Sequence, residues 1–178
     1  MAIELEPKRL QLLRDLIPNA AAFGVLEEPS FIVTDLQAAA RTLGRQLVVA
    51  NARPDRDLET AFATFSQQRV GAVLVGIGRF SRRMEQLAAL AARHALPAIF
   101  PYREYVLAGG LMSYGSSLGY GYHQAGIYTG RILNGEKPAD LPVIQPTKFE
   151  LVINLKAAKA INFEIPPLVR ALADEVIE

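Results

Sequence analysis

Cysteine is absent from the 178 residues of this chain. Its absence removes disulfides, thiol nucleophiles and thiolate metal sites together, and it fits any compartment, including an oxidising one. Histidine is scarce: His94 and His123 lie in different segments, which argues against an imidazole metal site. No excess of charge of one sign exists either. The 19 Lys and Arg against 18 Asp and Glu leave a net charge of +1, and the cations are scattered among acids, which argues against a partner held by phosphate contacts. No apolar run approaches the roughly 20 residues of a membrane span. The stretch from Met1 to Arg14 carries Glu4 and Glu6 and no apolar core, so the chain as written is expected to carry no export signal. Nor does it hold a Gly-x-Ser-x-Gly elbow, a Walker loop or a full dinucleotide fingerprint; Gly76 and Gly78 lack a third glycine at the proper spacing. No cofactor is expected.

What is present is a globular composition, 51% apolar, and enough length for one good core or two small lobes. Pro7 to Ile17 reads as an amphipathic helix with Leu10, Leu13 and Ile17 on one face. A regular alternation then begins. Strands are expected at 22–26, 46–50, 70–75 and 97–100, and helices at 31–43, 55–67 with Asp55 near the N-cap, and 81–94 with Ser81 as N-cap. The first three strands start about 25 residues apart, the length of a βα unit. Their unbroken apolar character indicates a parallel sheet covered on both faces, and right-handed crossovers make it a doubly wound α/β sheet, Rossmann-like or flavodoxin-like. After Gly109-Gly110 the expected order is a strand at 111–114, a helix at 118–133, an extended proline-rich segment at 137–146, a strand at 149–154, a short helix at 155–160, and a terminal helix from Pro166 with Leu168, Leu172 and Val176 on one stripe.

The block from Gly71 to Arg83 carries the most chemical information. A β-branched run ends at glycines, and Arg79-Phe80-Ser81-Arg82-Arg83 follows at once. Ligands in open α/β sheets bind beyond the carboxyl ends of strands. Phe80 is therefore a candidate to stack on a ligand, Ser81 and its neighbouring amides to hold a carboxylate, and Arg82 to pair with one. The competing reading makes Ser81 a helix cap and the arginines solvated. Tyr102, after the next strand, either faces the same crevice or plugs the sheet, with Arg103 paired to a nearby acid. Asn51 ends the second strand as a polar contact or a turn residue. Glu27-Glu28-Pro29-Ser30 ends the first strand, and two adjacent carboxylates there repel an anionic ligand. As an acid–base pair they are poorly disposed, since adjacent residues rarely converge on one atom. Ser117 is expected to cap the helix that follows it, and His94 to sit at a helix C-terminus where its charge is welcome.

Four segments carry a resemblance across nearly the whole chain. They are Arg93-His94-Ala95-Leu96-Pro97-Ala98-Ile99-Phe100, Gly109-Gly110-Leu111-Met112-Ser113-Tyr114-Gly115, Ile132-Leu133-Asn134-Gly135-Glu136-Lys137-Pro138-Ala139-Asp140-Leu141-Pro142-Val143, and Gln145-Pro146-Thr147-Lys148-Phe149-Glu150-Leu151-Val152-Ile153-Asn154. Together with the opening Pro7-Lys8-Arg9-Leu10-Gln11-Leu12-Leu13-Arg14-Asp15 and the closing Ala173-Asp174-Glu175-Val176-Ile177-Glu178, they resemble the ABC-transporter substrate-binding proteins of the tryptophan/tyrosine-uptake type. The resemblance implies a type I periplasmic-binding-protein fold of two lobes that close on a small molecule. It also implies that this sequence starts where the second half of such a protein starts, so that the first lobe is missing. Residues 1–19 then form a lead-in helix and 20–108 the second lobe. Residues 109–146 form the hinge strand, helix and crossing segment, and 147–178 return to the lobe. Ser113 and Tyr114 become hinge-proximal ligand contacts. The Glu27-Glu28 pair departs from the family's smaller polar loop.

The expectation is a non-catalytic solute-binding component of an ABC importer. Its ligand is small and amino-acid-like, its partners are the importer's membrane subunits, and its location is extracytoplasmic by resemblance or cytoplasmic if this is the whole gene product. The helix at 118–133 is expected to lack its packing partner, which points to a homodimer or swapped oligomer. The alternatives are a small α/β isomerase or hydrolase, which lacks a well-placed base, and a flavodoxin-like regulatory module.

Overall fold

The computed structural model describes residues 5–28, 34–53, 56–146 and 148–178. Helix α1 (Glu6–Leu16) leads into β1 (Ala22–Glu27), α2 (Thr34–Thr42), β2 (Gln46–Asn51), α3 (Leu58–Gln67) and β3 (Val73–Val75). A 3-10 turn (Arg79–Arg83) runs straight into α4 (Met84–Arg93), then come β4 (Ala98–Phe100), α5 (Arg103–Leu107) and β5 (Met112–Ser116). Next are α6 (Leu118–Leu133), a short 3-10 turn (Pro138–Asp140), β6 (Phe149–Asn154), α7 (Leu155–Ala160), α8 (Pro167–Ala171) and β7 (Glu175–Ile177).

The seven strands among the described residues share one sheet in the order β2-β1-β3-β4-β5-β6-β7. Every neighbouring pair is parallel except β5 and β6, which run antiparallel with Met112 opposite Ile153 and Ser116 opposite Phe149. The doubly wound sheet expected from the apolar runs is therefore what forms. Alternation along the strands splits the core in two. Phe23, Val25, Leu74 and Ile99 pack on the face that carries α1, α2, α7 and α8. Leu26, Val73, Val75 and Phe100 pack on the opposite face with α3, α4 and α5. The chain moves outward from β1 to β2 and then crosses back to place β3 on the other side of β1. The carboxyl ends of β1 and β3 thus form the topological switch point, where doubly wound sheets leave a crevice.

Several boundaries differ from expectation. The terminal helix stops at Ala171, and 175–177 instead pairs as β7 beside β6. Leu168 and Leu172, read as a core stripe, are exposed; a backbone ladder on an open sheet edge outweighs a weak three-residue stripe. Helix α4 starts at Met84 and not at Ser81. Helix α3 starts at Leu58, with Asp57 at the N-cap and no side-chain cap bond. The residue named for that cap, Asp55, lies outside the described residues, as do Pro29, Ser30 and the first residues of the helix expected from Phe31. Helix α6 spans the expected range, and Ser117 caps it by accepting from the Tyr120 amide. The short helix α5 had no apolar periodicity to reveal it.

Helix α6 has no buried residue. It carries Tyr120, Tyr122, Ile127 and Leu133 into solvent, and the segment after it exposes Val143 almost fully, at 94%. That segment folds back along α6, with the Tyr128 hydroxyl donating to the Pro142 carbonyl at 2.6 Å. The two enclose an apolar groove of about 510 Å³.

Candidate functional site

Two glutamates leave β1 on opposite faces, as strand alternation requires. Glu27 turns toward α1 and is 1% exposed. Its carboxyl lies near Glu6, in the first turn of α1, has no hydrogen-bond partner among the described residues, and is packed so tightly on Gly76 that a Cβ there would overlap it. Burial first, and the Glu6 carboxyl second, push Glu27 up to about 8. Burial raises Glu6 as well, against the pull of Arg9. Glu27 therefore keeps its proton at neutral pH, since burial disfavours its charged form and a second carboxylate beside it would repel.

Arg9, one turn along α1, is fully buried. Its Nε donates to the Tyr114 carbonyl at 2.8 Å, tying α1 to β5 across the carboxyl ends of the strands between them. The two terminal nitrogens have no hydrogen-bond partner among the described residues. Burial lowers this guanidinium, while Glu6, Tyr102 and Glu27 sustain its charge. Tyr102 is half-buried at the N-terminus of α5, and burial raises its phenol while Arg9 opposes the shift. Gly115 has no room for a side chain, because a Cβ would overlap the Pro101 carbonyl.

Glu28 turns the other way, toward the end of β3. Its carboxylate accepts from the Arg79 amide, and its second oxygen pairs with Arg79 Nε at 3.3 Å. The carboxylate is buried, and Gly78 leaves the space that it fills. The turn that opens α4 is thus satisfied by the protein's own acid.

The residues named from sequence distribute as follows. Phe80 is a correction: it is fully buried in the α3–α4 side of the core, and its ring offers no face to the crevice. Burying a phenylalanine gains about 1.5–3 kcal/mol, more than an empty crevice returns. Ser81 is also a correction as a cap. It lies inside the 3-10 turn, exposed, and makes no side-chain cap bond, because the Glu28 carboxylate already takes the opening amide. Arg82 is exposed and shares with Ser81 a shallow polar groove of about 470 Å³ beside the start of α4. Tyr102 and Tyr114 both come to Arg9. The Tyr114 side chain lies 6.3 Å from Phe149, centroid to centroid. Ser113 is buried within β5, with no hydrogen-bond partner for its hydroxyl among the described residues. Asn51 stands exposed at the end of the edge strand β2, in register with Glu27. Arg103 pairs with Glu175 at 2.7 Å, and His94 Nδ1 meets the Ser66 hydroxyl at 2.8 Å.

Glu6 and Arg9 are the residues that sequence reading missed. A signal existed: Glu6 and Arg9 fall in phase with Leu13 and Leu16, so two charges ride the buried stripe of an amphipathic helix. Among the described residues no group of three or more His, Cys, Asp or Glu is disposed to hold a metal ion, and no helix is long and apolar enough to cross a membrane.

A doubly wound sheet with charged groups gathered at its switch point has the architecture of a lobe of a periplasmic-type binding protein. Residues 3–177 match the family of ABC transporter substrate binding proteins, and the chain belongs to that family. Among solved structures, a conserved domain protein from Vibrio cholerae O1 biovar El Tor is similar at TM-score 0.84 and 24% identity, over 96% of this chain and 60% of that one. An ABC domain from Streptococcus pneumonia, solved in complex with L-Trp, is similar at TM-score 0.80 and 23% identity, over 97% and 60%. The ligand-free, open structure of a substrate-binding protein with adhesive properties from Clostridium difficile follows at 0.62 and 20%, over 94% and 58%. The chain therefore spans about 60% of the length of the solved structures that it resembles. No curated protein matches it.

Proposed function

We propose that this chain is the ligand-gripping lobe of a solute-binding component of an ABC importer, and that it holds a small amino-acid-like molecule without transforming it. The observation that carries this reading is the set of charged and aromatic groups at the β1/β3 switch point. Glu28, Arg79, Tyr102 and Tyr114 lie along the edge where such sheets take ligands, and Ser81 and Arg82 stand exposed beside them. An opposing lobe closes over that edge about the strands that Arg9 ties to α1. Membrane subunits of the importer are the partners, and the site of action is extracytoplasmic. The bared apolar face of α6 and residues 141–144 is covered by association, with a second copy as the occupant when no other lobe is supplied.

A thermal-shift panel of free amino acids that includes L-tryptophan tests the binding reading. A saturable rise in melting temperature of roughly 2–4 °C or more with one class of side chain is expected. A flat response across the panel defeats the claim that this chain binds alone.

One observation favours a second reading, a small α/β enzyme: Glu27, poised near 8, has the pKa a general base needs. Its carboxyl is buried against Gly76 and Glu6 and has no approach for a substrate in this conformation. Turnover that survives Glu27→Gln would remove the reading.

A further inference from the structure

The carboxylate of an amino-acid ligand needs amide donors and a cation at a strand end. The most complete such arrangement on this edge is the Arg79 amide together with the Arg79 guanidinium, opened toward β1 by the absence of a side chain at Gly78. It is already filled. Glu28 places one oxygen on the amide and the other on Nε, is buried in doing so, and offsets the charge of the Arg79 guanidinium. The neighbouring acid, Glu27, keeps its proton at neutral pH and adds no charge, so what an incoming carboxylate meets there is a donor set already occupied.

We propose that Glu28 is a specificity-determining residue that stands in for a ligand carboxylate at the β1/β3 end of the crevice, so that the ligand is recognised there through a cationic or neutral polar group, such as a protonated amine. This inference rests on the binding reading above and narrows its ligand class. An amine approaching this edge faces carboxylate oxygens whose own donors leave lone pairs free, whereas a carboxylate finds the Arg79 amide and Nε already claimed.

Two independent measurements test it on the 178-residue chain. The first needs no organic ligand. In Glu28→Ala, acetate is expected to refill the vacated position and raise the melting temperature saturably by roughly 2–4 °C, with chloride at equal ionic strength as control and no such rise in the wild type. An equal response in both proteins, or none in either, overturns the assignment. Glu28→Gln, which keeps the acceptor and loses the charge, serves if the alanine variant does not fold; it is expected to remain folded and to bind the acid probe below.

The second compares L-tryptophan, tryptamine, which lacks the carboxylate, and indole-3-propionate, which lacks the amine. Tryptamine is expected to stabilise the wild type at least as well as L-tryptophan, and indole-3-propionate only Glu28→Gln. A wild type stabilised by indole-3-propionate and not by tryptamine overturns the proposal and moves anion capture to Arg82. If none of the three stabilises either protein while acetate rescues Glu28→Ala, the binding reading fails and the role of Glu28 as the internal carboxylate stands.

Discussion

Glu27 holds its proton up to about pH 8 in the folded chain, against an ordinary value of 4.5. Between those values the folded state binds more protons than the unfolded one, so the stability linked to this group is complete below about 4.5 and drains away as pH rises to about 8. Glu6, also raised, acts in the same sense. Glu27→Gln cannot ionise. Its melting temperature is expected to match the wild type near pH 5 and to exceed it by roughly 3–8 °C at pH 8.5, with a flatter profile between. Parallel profiles for the two proteins would exclude a buried proton at Glu27. The close approach at Gly76 gives a second test. Gly76→Ala forces a Cβ onto the Glu27 carboxyl and is expected to cost about 1–3 kcal/mol in urea unfolding. In a Glu27→Ala background most of that cost disappears, a coupling that independent sites do not show.

Helices of one chain differ widely here in what holds them. Helix α1 seals one face of the sheet with Leu10 and Leu13 fully buried, whereas α6 has no buried residue and rests on its own hydrogen bonds, its Ser117 cap and the returning segment at 138–146. Isolated helices of that length are marginal in water. Leu13→Ala is expected to cost about 2–5 kcal/mol. Leu133→Ala, at a site 81% exposed, is expected to change stability by less than about 0.5 kcal/mol. Native-state hydrogen exchange checks the same contrast, with α6 amides exchanging well before those of β1 and β3. An α6 protected to the global limit would show that something covers it in solution.

At the scale of the whole molecule, α6 and residues 141–144 form an apolar surface with no counterpart in the lobe's own core. Light scattering at micromolar concentration is expected to report a dimer or larger species. The double variant Tyr122→Ser, Leu133→Ser is expected to shift it toward monomer, because both side chains project from α6 into solvent. A clean monomer for the unaltered chain contradicts association through this face.

Strand positions, the βα rhythm and the doubly wound class were legible from residues alone, because buried parallel strands demand unbroken apolar runs and crossover lengths are narrow. The family resemblance was legible too, in the segments at 93–100, 109–115, 132–143 and 145–154. The fate of single side chains at the crevice was not. Phe80 enters the core as its apolar ring favours and not the crevice read for it, while the Arg9 guanidinium, against its polarity, is buried beneath the strand ends. Residues 175–177 became a strand through pairing with β6, which no local pattern announces. Periodicity encodes which face of an element is apolar. Whether Glu28 meets a ligand or the Arg79 amide is decided by segments 51 residues apart, and only the folded sheet brings those together.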